Sequence, residues 1–225
     1  MTLPESDDSA RARPRTRLVV AAGLAALLLV VGGLAIGRLT APNAPLPPST
    51  TSAEAGFARD MQTHHHQAVE MAMIIRSTTT DPDLLTLSYD IATSQAQQAG
   101  QMFGWLSVWG VPPASPEPAM TWMTRPALDG ATHGHDNGEG AAHIPGEPMP
   151  GLTTSEQLAE LRAADGEAAD ELFLTLMIAH HEGGVGMAEA LLDRSDNAVA
   201  TSLARGIVTS QQGEINYMWQ LLDAP

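Results

Sequence analysis

The chain contains no cysteine in 225 residues, and all 11 of its basic residues are arginine. The first absence excludes disulfides, thiolate metal sites and a lipid-modified cysteine, so any soft ligand must come from histidine or methionine. The second leaves 26 acidic residues poorly balanced, with a formal net charge of −15. Beyond residue 40 the imbalance deepens to 23 acidic residues against six arginines, a charge of −17. A nucleic-acid groove needs clustered positive charge, so nucleic acid is excluded as a partner. Aromatic residues make up only 4% of the chain while methionine occurs 11 times. A compact core here must therefore be built from small aliphatic side chains and thioethers. No serine accompanies the histidines in a recognisable triad, and cysteine cannot serve as a nucleophile. We therefore expect a protein that is not an enzyme.

What is present begins with a hydrophobic run. Leu18 to Gly37, LVVAAGLAALLLVVGGLAIG, is 20 residues without a charge. At about 1.5 Å per residue, a helix of that length spans the roughly 30 Å hydrocarbon core of a bilayer. RARPRTR ahead of it carries four arginines, outnumbering those just after it, Arg38 and then Arg59. By the positive-inside rule the tail at 1–17 stays in the cytoplasm, the helix at 18–39 crosses the lipid bilayer, and the body lies outside the cell membrane. A secreted protein released by signal cleavage is the competing reading, with PNA at 42–44 as the cleavage context. The run is longer than the ~7–15 residues of a usual signal core, which favours an uncleaved anchor. Residues 40–53, rich in Pro, Ser and Thr, read as an extended linker.

The body repeats itself. Shifted by 116 residues, Phe57 falls on Phe173, Met61 on Met177, His64 and His65 on His180 and His181, and Met71–Ala72 on Met187–Ala188. The register continues through Ile91 and Ile207, TSQ at 93–95 and 209–211, and Met102 and Met218. One constant offset over about fifty residues argues for a repeated structural unit. Each unit reads as two amphipathic helices. Phe57, Met61, His64, Ala68, Met71 and Ile75 step by four and three, which places them on one stripe, while His66 points away. TTTDPD at 78–83 breaks the chain, with Asp81 or Asp83 as cap, and the partner helix runs from about Leu84 to Trp109. RSDNA at 194–198 makes the matching turn. Two such hairpins predict an all-α fold, a four-helix bundle at 54–223. The Pro/Gly/His-rich loop at 110–153 joins them, with a short helix after it capped by Thr154 and Gln157.

The inner stripes carry His64, His65, His180 and His181, Met61, Met71, Met177 and Met187, with Met102 and Met218, Gln95 and Gln211, and Gln98 opposite Glu214. A buried imidazole needs both ring nitrogens satisfied, by a hydrogen bond or a metal. Adjacent histidines cannot both point at the axis, so one should face the centre and the other a neighbouring helix. Ala68 and Gly184, one turn on, leave room for close approach or for an ion. Imidazole with thioether suits Cu(I), and by the same logic Ag(I), whereas carboxylate-rich sites suit iron, manganese or magnesium. Only Glu214 lies on an inner stripe, and the Glu-x-x-His of di-iron bundles does not occur at the motif.

The paired pattern F-x-x-x-M-x-x-H-H-x-x-x-x-x-M-A, each copy followed by Q-x-x-[E/Q]-x-x-x-M, resembles the bacterial domain of unknown function 305 family over roughly residues 54–223. The resemblance implies a ferritin-like fold and a secreted or membrane-tethered protein linked to copper handling. It marks Met61, His64, His65, Met71, Met177, His180, His181 and Met187. This chain departs from an even pattern in carrying Gln98 where the second copy has Glu214, and in a third histidine, His66.

The sequence thus reads as a membrane-anchored extracytoplasmic protein binding copper as Cu(I), or silver, for storage, buffering or delivery. The suspected metal ligands are His64, His65, His180, His181, Met61, Met71, Met177, Met187 and Glu214. Against it stands a non-catalytic structural or interaction bundle whose core histidines pair only with Gln and Glu. Participation of His66, His133, His135, His143, Met120 and Met123 is left open, as are a protein partner and a homo-oligomer. An uncleaved anchor predicts that the mature protein retains residues ahead of the apolar run on N-terminal sequencing and stays with membranes through alkaline extraction. A new N-terminus just after residue 44 would make it a secreted protein.

Overall fold

The computed structural model describes residues 12–40, 46–130 and 144–223, and among them no strand occurs. The apolar run forms α1 (Ala12–Thr40), of which Arg17–Thr40 is long and apolar enough to cross a membrane. It belongs to a unit of its own, residues 1–46. The second unit, from residue 47 onward, holds α2 (Ala53–Thr78), α3 (Pro82–Trp109), α4 (Ser155–Ala163), α5 (Gly166–Leu192) and α6 (Ala198–Leu222).

Local chemistry sets the helix ends. The Ser52 hydroxyl accepts the Ala55 amide at the start of α2. Asp81 caps α3 through the Asp83 and Leu84 amides, with Pro82 in the first turn where its missing N–H costs nothing. Gly110, at φ 69°, stops α3 in the left-handed conformation. Thr154 and Gln157 form the anticipated capping box on α4. Asp165 and Gly166 open α5: α4 ends at Ala163 and Gly166 is the first residue of the next helix.

The two hairpins, α2–α3 and α5–α6, meet along α2 and α5. Ala68, Ala72, Gly184 and Ala188, all buried, line this seam, and side chains this small let two helix axes approach closely. The core falls into two apolar clusters. In one, the start of α2 with Met61 meets the end of α5 with Met187, so α2 and α5 run antiparallel; Met102 joins from α3. In the other, Met71 meets Met177 and Met218. The 116-residue shift maps one methionine triad onto the other: Met61 to Met177, Met71 to Met187, Met102 to Met218. The duplication is therefore a two-fold relation in space.

The loop between the hairpins departs from a plain connection. His133, His135 and His143 lie outside the described residues. On either side of them, however, the chain is bound to the bundle. The Asp60 carboxylate accepts the Met120 amide at 2.7 Å and the Trp122 indole N–H at 2.9 Å. Trp122 packs edge-on against Phe57, with ring centroids 5.8 Å apart. The Arg59 guanidinium, also buried, donates to the Thr50 and Pro112 carbonyls, tying linker and loop to α2. Met120 and Met149 add two thioethers to the cluster that holds Met61. Proline and glycine content concealed these contacts, because a loop's composition says how the backbone turns and not what the few apolar residues within it cover.

Gly56 is the tightest point of this clamp: a Cβ there would lie 2.5 Å from Trp122 Cδ1. Gly56→Ala should therefore cost about 1–3 kcal/mol, as overpacking does. Urea denaturation followed by near-ultraviolet circular dichroism of the tryptophans measures it. An unchanged midpoint would mean that the Trp122 segment is not seated on α2.

Candidate metal centre

His64, His65, His180 and His181 are all fully buried, at 0% exposure. They occupy the middle of the α2–α5 seam, between the two methionine clusters. His64 and His180 meet face to face across it, with ring centroids 3.8 Å apart and planes inclined by 37°. Their neighbours turn outward in opposite senses, as adjacent positions on a helix must. His65 reaches Gln98 on α3 and His181 reaches Glu214 on α6. His66 and its counterpart Glu182 are exposed.

Each ring spends one nitrogen on an oxygen acceptor. His64 Nε2 donates to the Pro150 carbonyl at 3.1 Å and His180 Nε2 to the His64 carbonyl at 2.9 Å. His65 Nε2 meets Gln98 Oε1 at 2.7 Å, and His181 Nε2 meets Glu214 Oε2 at 2.6 Å. A carbonyl or carboxylate can only accept, so the proton sits on Nε2 and the lone pair on Nδ1. All four Nδ1 atoms are buried and have no hydrogen-bond partner. A ring whose N–H is held by an oxygen while its other nitrogen presents a lone pair is the form in which histidine binds metals. Burial keeps His64, His65 and His180 neutral as well. Desolvation lowers His64 to about 4 and His65 to about 3, their oxygen partners opposing it only in part. His180 is driven well below its ordinary value by desolvation and then by the facing His64.

Gln95 and Gln211, related by the 116-residue shift, are buried beside the quartet, and neither amide has a partner. The room left at Gly184 is taken by one of them, since a Cβ there would overlap the Gln211 side-chain amide. Among the described residues no three His, Asp or Glu side chains gather as a ready cage. The four sequence-predicted methionines are buried but divided, Met61 and Met187 on one side of the histidines, Met71 and Met177 on the other. Met71 sulfur accepts the Thr153 hydroxyl at 3.2 Å. Glu214, expected among the ligands, stands one step behind, as the acceptor for His181.

One functional element escaped the sequence reading: a strap, residues 149–154, laid across the seam over His64. Its Pro150 carbonyl takes the His64 proton. Gln67 grips Thr153 twice, donating to its carbonyl at 2.8 Å and accepting its amide at 2.7 Å. On the other helix Gly183 makes room, because a Cβ there would overlap the Pro150 carbonyl. Gly151 sits at φ 74° against the Ala179 carbonyl, where neither a side chain nor an ordinary L-residue backbone fits. Gln67 and Gly183 occupy equivalent places in the two repeats. Their mismatch was the available signal that something asymmetric lies over the seam.

A family model described as Domain of unknown function (DUF305) matches residues 54–222. Among solved structures, a candidate secreted DUF305 protein from Streptomyces coelicolor is 42% identical, with a TM-score of 0.66 over 77% of this chain and 94% of its own. A DUF305 fragment from Deinococcus radiodurans is 30% identical, with a TM-score of 0.58 over 79% of this chain and 98% of its own. CopM in its Cu(I)-bound form is 24% identical, with a TM-score of 0.54 over 76% of this chain and 94% of its own. At that identity the likeness is one of fold. No curated protein sequence matches the chain.

The buried neutral rings make stability pH-dependent. His64 and His65 take up protons near the ordinary 6.5 when unfolded but only near 4 and 3 when folded. Between those values the unfolded chain binds more protons, so their stabilising contribution is complete above 6.5 and lost as pH falls toward 4. The slope is about 1.4 kcal/mol per pH unit for each such histidine. Urea midpoints measured from pH 7.5 to 4.5 should fall steadily, and His64→Ala should remove about one histidine's share of the slope. A flat profile would mean that the rings are not buried neutral.

Proposed function

The chain belongs to the DUF305 family, and on that premise we propose that its bundle binds a soft monovalent cation, Cu(I) or Ag(I), as cargo for storage, buffering or delivery. The single observation behind this is four buried imidazoles, each with Nε2–H committed to oxygen and an Nδ1 lone pair without a partner. The donor set suits the cargo. Neutral nitrogen and thioether sulfur favour a soft ion, and a monovalent one brings the least charge into an apolar core. A d10 ion also accepts few ligands, which suits a centre lacking a ready three-residue cage. CopM, of the same fold, is a protein seen with Cu(I), Cu(II) and Ag. Its metals lend support to the choice of cargo.

The same reading places the bundle outside the cell, tethered by α1. The arginine-rich flank holds the N-terminus on the cytoplasmic side. Outside, thiolates would be lost to oxidation, which suits a ligand set without cysteine. The residues are those of a binding protein: His64, His65, His180 and His181 as nitrogen donors, Met61, Met71, Met177 and Met187 as flanking thioethers, and Glu214 and Gln98 orienting the rings.

A second reading has its own observation. His64 and His180 bond to main-chain carbonyls, so they also fix the strap and the seam. A purely structural network would bind no transition metal above background, and the histidines would matter only to stability.

Titration of the purified protein with Cu(I) against a competing chelator, alongside metal analysis, separates the two. The cargo reading expects chelator-competitive binding that is lost in the variant carrying Ala at His64, His65, His180 and His181. If that variant folds by circular dichroism yet binds Cu(I) with unchanged stoichiometry, the site is wrongly assigned.

A further inference from the structure

Besides the strap over His64, the two-fold relation of the centre fails in charge at one position. His65 Nε2 donates to a neutral amide, Gln98, and His181 Nε2 to a carboxylate, Glu214, over nearly equal distances of 2.7 and 2.6 Å. Both rings are fully buried, and both keep a buried Nδ1 without a partner. Methionine triads, glutamines 95 and 211, and facing histidines 64 and 180 correspond under the repeat, although His64 Nε2 meets the strap carbonyl of Pro150 and His180 Nε2 the His64 carbonyl. The difference in charge between the halves is a carboxylate, placed behind one ring and missing behind the other. Among the described residues no arginine pairs with Glu214.

We propose that Glu214 makes the two halves unequal binding sites, so that the His181 half takes a soft monovalent cation first and the His65 half takes one second. This rests on the cargo reading. A cation at Nδ1 of a buried ring carries its charge out of water, a cost that only a nearby opposite charge offsets well. Through the Nε2–H bond, Glu214 supplies that charge and raises the donor strength of the ring's other nitrogen. Gln98 offers a dipole alone. Outer-shell partners of metal-bound histidines are worth about 10–100-fold in affinity, which sets the scale of the separation. Glu214 acts here as a positioning and specificity-determining residue, through His181.

Ag(I) alone, which keeps its oxidation state, is the probe. It is titrated into the full chain in detergent micelles against a competing chelator, while the histidine ring nitrogens are followed by NMR. The wild type should show His181 Nδ1 responding before His65 Nδ1, with two constants about 10–100-fold apart. Glu214→Gln reproduces the Gln98 half, and should weaken the first constant by that factor until the steps merge. Gln98→Glu should merge them in the opposite sense, by tightening the second, and it decides the question if the first variant fails to fold. Ag(I) binding with both constants unmoved by either variant, or His65 responding first, overturns the inequality. No Ag(I) binding to the wild type overturns the cargo reading beneath it.

Discussion

A neutral imidazole buried without water must place two polar nitrogens, and this fold places one of them four times. Everything around the α2–α5 seam follows from that constraint. The acceptors are a strap carbonyl, a helix carbonyl, an amide and a carboxylate, drawn from four segments of the chain. Aromatic poverty contributes too. With three phenylalanines in the chain, the flanking core is filled mainly by leucine, isoleucine, methionine and alanine. Slim side chains let α2 and α5 come close enough for His64 and His180 to stack.

The second nitrogen of each ring is where structure turns toward function. An unsatisfied buried polar atom costs about 1–3 kcal/mol. Four Nδ1 atoms and the two Gln amides together stand on the scale of a domain's entire net stability of roughly 5–15 kcal/mol. A sequence selected for stability alone would fill these positions with leucine. The presence of these nitrogens in both repeats supports the reading in which their lone pairs serve a bound cation. On that reading the apolar clusters on either side act as insulation, holding a low dielectric around the ion.

Much of this was legible in the residues. The 116-residue offset set out the two hairpins, and the four-three spacing placed His64 and His180 on inner stripes with His65 and His181 beside them. Their outward sense toward α3 and α6 followed from helix geometry alone. The capping box at Thr154 and the Asp81 cap were written locally and were read correctly. Long-range backbone contacts were not legible. The Pro150 carbonyl that serves His64 lies 86 residues away, and no periodicity records which loop carbonyl falls above a given helix turn. The Asp60 carboxylate likewise finds its partners, Met120 and Trp122, 60 and 62 residues along the chain, where no local pattern records them. Glu214 was singled out from its place on the inner stripe, but spacing alone does not show what its carboxylate touches.

The breaks in the repeat carry more functional content than the repeat itself. A duplicated hairpin yields two equal halves by default, and each departure costs symmetry for a purpose that the local chemistry identifies. Gln67 and Gly183 differ because a single strap must be gripped on one side of the seam and admitted on the other. Gln98 and Glu214 differ in charge alone, behind rings that are otherwise equivalent. Both breaks touch the same four histidines. The strap also lies over His64, in a centre with no exposed ring atom. Its anchorage to Gln67 and Met71 consists of a few hydrogen bonds, and such elements open locally at far less cost than the whole fold. On the cargo reading, a soft ion held at buried Nδ1 atoms beside one tethered segment is shielded by the fold and leaves through local opening, without global unfolding.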